Sequence, residues 1–101
     1  MQKIKIDMNN PDFQRDLFLI EKDSQFALIR TLKKISNLNW FELYQDHELK
    51  WEVITSNTTK NHCRIYSFRF SQKYRACAYR EENFLRLLKL HIDHDGAYEK
   101  K

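Results

Sequence analysis

The 101-residue chain has little glycine, proline or cysteine, and it has no long hydrophobic run. Gly96 is its one glycine, so no glycine-rich phosphate loop is present, which excludes P-loop and dinucleotide-binding chemistry. Cys63 and Cys77 lack CxxC spacing and a small secreted scaffold, which favours two reduced thiols over a disulfide. No segment approaches the roughly 20 apolar residues of a membrane span or the apolar stretch of a signal peptide. We therefore expect a cytoplasmic protein without membrane contact.

The composition that is present favours one compact, basic domain. A hydrophobic fraction of 42% with few chain breakers argues against disorder. A chain of this length can bury a single core, so we expect one domain over residues 1–101. The formal net charge of +4 favours an anionic partner, either nucleic acid or an acidic protein, and a solvated basic surface is the alternative.

The first half of the chain predicts a short strand followed by a helical hairpin. Ile4 and Ile6 alternate with charged residues, which is the period of a strand. Asn10 suits a helix N-cap, and Pro11 suits the first helical turn. Apolar residues then recur at steps of three and four, so we predict two amphipathic helices with a break near Asp23–Ser24.

The second half predicts a sheet. After a short helical turn at 40–44, the chain becomes extended from Leu49, and the polar stretch 56–62 reads as a loop. RIYSFRF, KYRACAYR and FLRLLKLHI then read as strands, the last a central one covered on both faces. The whole order predicts an α+β fold, with an N-terminal strand and helical hairpin packed on a mainly antiparallel sheet of about four strands.

The last third gathers the groups that a protein needs to bind and cleave a phosphate ester. These are Arg69, Arg75, Arg80, Arg86, His91, His94, Asp95 and Tyr98. Metal-free RNA cleavage needs a base for the 2′-hydroxyl, cations for the phosphate, and an acid for the departing oxygen. A histidine can supply either proton role near neutral pH.

Arg75 is the first candidate for a phosphate ligand, because its planar fork of donors suits two phosphate oxygens and Lys73 lies beside it. The alternative is a strand-end arginine paired with a carboxylate such as Glu81. His94 is the first candidate for proton transfer, with His91 behind it. The alternative for His94 is a tail histidine bound to a neighbouring aspartate.

The segment HIDHD could also hold a metal, but a continuous strand sends its histidines and aspartates in different directions. We predict neither a metal nor a cofactor.

The phrase RIYSFRFSQKYRACAYR, the apolar strand after it and the tail HDGAY resemble the RelE/ParE superfamily of bacterial toxins from type II toxin–antitoxin systems. Arg69 and Arg75 match the family's pattern of a basic residue ending one strand and a Tyr-Arg pair opening the next. In the tail, His94 precedes Tyr98 by four positions, as in the family's C-terminal signature. The likeness covers nearly the whole chain in element order, and its specific part is 64–98.

The resemblance implies a toxin that cuts messenger RNA, usually in the decoding site of the ribosome, and that a cognate antitoxin holds silent. Arg75 would hold the scissile phosphate, His94 or Tyr98 would move protons, and Arg69 would stabilise charge, with His91 as a further catalytic candidate. The remaining predicted RNA contacts are Lys73, Arg80 and Asp95.

The same resemblance leaves two other functions open. Tyr66 and Phe68 stand where some members carry catalytic lysines, which favours the histidine-bearing branch of the family. The main alternative is a ParE-type protein, which inhibits DNA gyrase by protein contact and cleaves nothing. A third possibility is a relative that binds RNA without turnover, with Arg69 and Arg75 as phosphate contacts.

Overall fold

The computed structural model describes residues 2–59 and 62–92, and within them three helices cover one face of a five-stranded sheet. The elements are β1 (Lys5–Asp7), α1 (Pro11–Leu19), α2 (Lys22–Ser36), α3 (Trp40–Tyr44), β2 (Glu52–Thr58), β3 (Arg64–Arg69), β4 (Tyr74–Glu81) and β5 (Phe84–Ile92). The strand order is β1-β5-β4-β3-β2, in which β2 to β5 form an antiparallel meander and β1 joins β5 in parallel. The predicted α+β class is confirmed, with five strands rather than about four.

The helical hairpin begins where the sequence predicts and turns earlier than predicted. The side chain of Asn10 accepts a hydrogen bond from the backbone N–H of Asp12 and so caps α1. The break between α1 and α2 falls at 20–21 and not at 23–24, because Ser24 is already helical and its hydroxyl donates to the carboxylate of Glu21. The side-chain amide of Gln25 donates to the Leu17 carbonyl at 2.8 Å and thereby closes the end of α1.

The polar stretch 56–62 is only partly a loop. β2 continues to Thr58, which pairs with Arg64 after a register shift. The reversal that follows is closed by the backbone N–H of Thr59, which donates to the Cys63 carbonyl at 3.0 Å. β2 lies at the edge of the sheet, where a strand pairs with one neighbour only.

The core lies between the helices and one face of the sheet. α1 contributes Phe13 to this core, and α2 contributes Leu28 and Ile35, all fully buried. They pack over the helix-facing strand residues, among which the small side chains of Ala76 and Ala78 are also fully buried. None of the helices in the part of the chain just described is long and apolar enough to cross a membrane.

Two tryptophans connect the helices to the sheet. The rings of Trp40 and Trp51 lie 6.1 Å apart between centroids, and Trp51 stacks on Tyr66 at 4.8 Å. The side chains of β3 alternate between the two faces of the sheet, since Phe68 is buried in the core while Ser67 faces the other side and accepts a hydrogen bond from Arg75.

β5 differs from the predicted central strand with two covered faces. It lies between β1 and β4, and its apolar run contains a bulge. Ala78 pairs with Leu87 and Cys77 pairs with Lys89, so Leu88 is the extra residue. Lys89 is exposed on the face away from the helices, so that face of β5 is not covered. The apolar run is continuous because the bulge inserts Leu88 beside the core residue Leu87.

Candidate nucleic-acid interface

Three of the predicted site residues form a row across the sheet. Arg69 of β3 pairs with Arg75 of β4, and Arg75 pairs with His91 of β5. Directly paired residues of antiparallel strands project from the same face. That face is the one without helices, because the adjoining residues Phe68 and Ala76 are buried in the core. The fold thus brings two arginines and one histidine together at one end of the sheet.

Arg75 is held rigidly within this row and is only 7% exposed. Its Nε donates to the Ser67 hydroxyl at 3.0 Å. Its Nη2 donates to the Lys50 carbonyl at 2.6 Å and to the Ser67 carbonyl at 3.1 Å. The nearest carboxylate oxygen, of Glu52, lies 3.8 Å from Nη2. The arginine therefore takes its partners from β3 and from the residues at and just before the start of β2, and not from Glu81 at the far end of its own strand.

The bonds of Arg75 leave one side of its guanidinium available. A guanidinium has five N–H groups, and three hydrogen bonds occupy Nε and Nη2. Within residues 2–59 and 62–92, Nη1 makes no hydrogen bond. A cation fixed in this way can meet an anion with little further loss of side-chain entropy.

A cavity of about 580 Å³ opens beside the row on the same face. Its walls include Ile54, Ile65, Cys77 and Leu88, and Lys89 and His91 also line it. Burial raises the pKa of the Cys77 thiol, although the charges of Lys89 and Arg75 act in the opposite direction. The thiol stays protonated near neutral pH, which does not suit a nucleophile. The cavity is a recess with a mixed apolar and polar lining beside cationic groups.

The local geometry of His91 selects a tautomer. Its Nδ1 lies 3.0 Å from the backbone carbonyl oxygen of Ile92. A carbonyl can only accept, so this hydrogen bond requires the proton on Nδ1. In the neutral ring Nε2 then carries the lone pair, and this nitrogen is buried in the structure.

Lys73 lies near the row but is bound to the helical hairpin. Its ammonium lies 3.5 Å from a carboxylate oxygen of Glu21, which also accepts a 2.9 Å hydrogen bond from the Tyr74 hydroxyl. The hydrogen bond from Tyr74 lowers the pKa of Glu21, while burial and the same carboxylate raise the pKa of Tyr74. This cluster joins the β3–β4 turn to the start of α2.

Arg80 is not brought to the row. It lies near the opposite end of β4, where its guanidinium carbon is 4.6 Å from the centroid of the Trp40 ring. Its Nη1 donates to the Tyr44 hydroxyl at 3.0 Å. Arg86 is not brought to the row either, and it forms ion pairs with Asp7 and Glu81.

Three predicted residues, His94, Asp95 and Tyr98, lie outside the described residues, and their roles stay predictions. Sequence reasoning missed Lys89, although it stands two strand positions before His91 and so shares its face in an extended chain. It also missed Lys50, which contributes a backbone carbonyl and leaves no signal in the side-chain pattern.

The arrangement of helices and strands is that of a RelE-like toxin fold. The chain matches the archaeal RelE–RelB complex from Pyrococcus horikoshii OT3 with a TM-score of 0.62 and 13% identity, over 90% of this chain and 93% of that chain. It also aligns with a copper-bound mutant toxin from Helicobacter pylori at a TM-score of 0.49 and 16% identity, over 94% and 98% of the two chains. No family model matches the sequence, and a search of curated proteins found no match. The resemblance drawn from the sequence is thus confirmed at the level of the fold.

Proposed function

We propose that this protein is the toxin of a type II toxin–antitoxin system and inhibits translation by cutting messenger RNA without a metal. The observation that carries the proposal is the row of Arg69, Arg75 and His91 on the open face of the sheet. The RelE-like fold and the net charge of +4 support it.

In the proposed reaction the 2′-oxygen attacks the adjacent phosphorus and the bond to the 5′-oxygen breaks, leaving a 2′,3′-cyclic phosphate and a 5′-hydroxyl. Arg75 holds the phosphate through Nη1, and Arg69 adds charge stabilisation as negative charge gathers on the oxygens. His91 or His94 accepts the proton of the 2′-hydroxyl. His94 or Tyr98 returns a proton to the departing 5′-oxygen.

The burial of Arg75 supports its assignment as the phosphate ligand. Three hydrogen bonds already fix the guanidinium, so its donors need no rearrangement when charge develops. Loss of one such preorganised donor typically lowers the rate by roughly 100-fold to 1,000-fold. The Glu52 carboxylate at 3.8 Å balances part of the charge in the free protein.

A protein antitoxin holds the toxin silent, and the toxin acts in the cytoplasm on messenger RNA, either free or on the ribosome. An acidic segment of the antitoxin laid across the row would complement its charge and block access to Arg75. The solved complex named above pairs two proteins on a similar fold, which supports this assignment.

The test is to add purified protein to a cell-free translation reaction and to map new messenger RNA ends. The variants are Arg75→Lys, Arg69→Ala, His91→Ala and His94→Ala, with Arg15→Ala as the control because Arg15 is an exposed arginine of α1. We expect discrete cleavage by the wild type and by the control. Arg75→Lys keeps a positive charge but loses the planar fork, so we expect roughly 100-fold slower cleavage.

The two histidine variants assign the proton roles. Loss of a general base or acid should slow cleavage by roughly 100-fold or more. Cleavage that is unchanged in Arg75→Lys and in His91→Ala would contradict the assigned roles. Intact messenger RNA with unimpaired translation would overturn the proposal, and a gyrase supercoiling assay would then test the ParE-type alternative.

A further inference from the structure

A second cavity, of about 530 Å³, lies near the end of β4 that is remote from Arg75. Arg75 and Arg80 are five residues apart along β4, which corresponds to roughly 17 Å of strand. Three aromatic residues of α3, Trp40, Phe41 and Tyr44, line this cavity. Arg80 lines it as well, together with the side-chain amides of Asn39 and Asn83. The row of Arg69, Arg75 and His91 contributes no residue to it.

The guanidinium of Arg80 is a fixed, planar part of this wall. It lies over the Trp40 ring at 4.6 Å, its Nη1 donates to the Tyr44 hydroxyl at 3.0 Å, and its Nε donates to the Glu82 carbonyl at 3.3 Å. Trp40 is only 5% exposed, whereas Arg80 is an exposed residue. The planar cation therefore covers a buried ring and presents its own outer face to a ligand.

The other groups around the cavity combine exposed rings with hydrogen-bonding amides. Phe41 is 59% exposed and Tyr44 is 47% exposed, so both rings are accessible to a ligand. The Asn39 side chain uses its oxygen to cap α3, and Asn83 uses its amide nitrogen to bond Gln2. Within the part of the chain that the structure describes, this leaves the amide nitrogen of Asn39 as a donor and the amide oxygen of Asn83 as an acceptor.

We propose that this cavity binds a nucleobase, either of a free nucleotide or of an unpaired position in an RNA strand. Unstacked bases are typically held on aromatic rings or on arginine planes, with their edges hydrogen-bonded by side chains such as amides. A bare phosphate would make no use of the exposed rings, and an aliphatic ligand would make no use of Arg80. The volume is within the range of pockets that hold small ligands.

This inference goes beyond the proposed cleavage reaction, since the site would stand even if Arg69, Arg75 and His91 cut nothing. It also gives Arg80 a role distinct from phosphate binding in the row. The base would stack on the outer face of the Arg80 guanidinium, so that the cation is sandwiched between the base and Trp40.

The test follows nitrogen–proton NMR signals of the whole protein during titration with the common nucleoside monophosphates. Ribose 5-phosphate is the control ligand, because it carries the sugar and the phosphate without a base. We expect the Trp40 indole signal and the side-chain amide signals of Asn39 and Asn83 to shift with nucleotides and not with ribose 5-phosphate. Equal shifts with both ligands, or no shift with either, would overturn the proposal.

Two pairs of variants test the named contacts. Arg80→Gln and Phe41→Ala should each weaken nucleotide binding roughly tenfold, as expected when one stacking partner is lost. Arg30→Gln and Phe26→Ala are the matched controls, because both residues are exposed on α2 and line no part of this cavity. Unchanged affinity in both test variants, with thermal unfolding like that of the wild type, would contradict the site.

A 2′-O-methylated RNA oligomer, which cannot be cleaved through the 2′-oxygen, distinguishes the two sources of the base. Tighter binding of the oligomer than of the nucleotide, reduced by Arg80→Gln, would assign the site to RNA. Equal or tighter binding of the nucleotide would assign it to a free nucleotide. Arg80→Gln should still cut messenger RNA at the Arg75-dependent positions, so failure of this inference is distinguishable from failure of the proposed cleavage.

Discussion

At the scale of single residues, Arg75 combines burial with positive charge. A buried charge is costly unless it is paired and hydrogen-bonded. Here the Ser67 hydroxyl and two backbone carbonyls supply the bonds, and one of those carbonyls belongs to Lys50. Lys50 has a φ of 48°, in the left-handed region that costs a residue with a Cβ about 1 kcal/mol or more. The strained backbone at Lys50 thus places its carbonyl oxygen against the Arg75 guanidinium.

Ser67→Ala should reveal how much the fold depends on this arrangement. The change leaves the Nε of Arg75 buried without its acceptor, so we expect the free energy of unfolding to fall by about 1–3 kcal/mol. Urea denaturation measures the loss. Ser36→Ala is the control, since that hydroxyl bonds only the Lys33 carbonyl at the end of α2 and its removal should cost much less. Similar small losses in both variants would show that Arg75 does not need the Ser67 hydroxyl.

At the scale of elements, the bulge in β5 decides which side chains face the site. Leu87 and Leu90 point to the core, and the extra residue Leu88 lets Lys89 and His91 keep their pairing with β4. Leu88 itself lines the cavity on the open face. A regular strand could not place two successive residues, Leu88 and Lys89, along the same cavity.

Deletion of Leu88 should therefore be tolerated, because the remaining residues of β5 can pair regularly with β4. Each of their side chains then stays on the face of the sheet that it occupies now. We expect a loss of no more than about 1–2 kcal/mol, from the half-buried leucine alone. Deletion of Leu90 is the matched control: it moves His91 into a core position and should cost about 2–5 kcal/mol. Thermal unfolding compares the two chains. If the first deletion cost as much as the second, the bulge would be essential to the fold.

At the scale of the whole molecule, ion pairs connect elements that are far apart in sequence. Asp7 of β1 binds Arg86 of β5, and Lys34 of α2 lies 2.8 Å from Asp46, ahead of β2. Partial burial would raise the pKa of Asp7, but hydrogen bonds from the Asn9 backbone and from Arg86 outweigh it and lower the pKa below 3.8. For Asp46, the hydrogen bond from Lys34 likewise outweighs partial burial and lowers the pKa.

A carboxylate whose pKa is lowered by folding binds more protons in the unfolded state, so the stability that it contributes rises with pH. This contribution is complete above the ordinary pKa of 3.8 and is lost as the pH falls through the lower folded value. Asp7→Asn should therefore lower the free energy of unfolding at neutral pH. The further loss of stability between neutral pH and about pH 3 should be smaller in this variant than in the wild type. Urea denaturation at both pH values checks this.

Glu82→Gln is the control for acid sensitivity, because Glu82 is an exposed residue in the turn between β4 and β5 and lies outside the helices. That variant should keep the acid dependence of the wild type. An identical acid dependence in Asp7→Asn and in the wild type would exclude the Asp7–Arg86 pair as a source of acid sensitivity.

Much of the fold follows from local chemistry that a sequence displays. Asn10 and Pro11 mark the start of α1, because a cap and a first-turn proline act within a few residues. The alternation of RIYSFRF separates Phe68 from Arg69 by the period of a strand alone. The sequence predicts the break between α1 and α2 three residues too late. The end of α1 involves a hydrogen bond from the Gln25 side chain to the Leu17 carbonyl, eight residues earlier in the chain.

The order of elements, the amphipathic faces and the supply of cationic residues follow from the chain alone, because caps and periodicity are properties of neighbouring residues. Which of the cations meet depends on how the chain folds. The row of Arg69, Arg75 and His91 depends on strand register, and the fixed position of Arg75 depends on a carbonyl from Lys50, 25 residues away. Arg80 shares a strand with Arg75 but is held against Trp40 on the helix side. Pairing across the sheet, and not distance along the chain, assigns these arginines to separate sites.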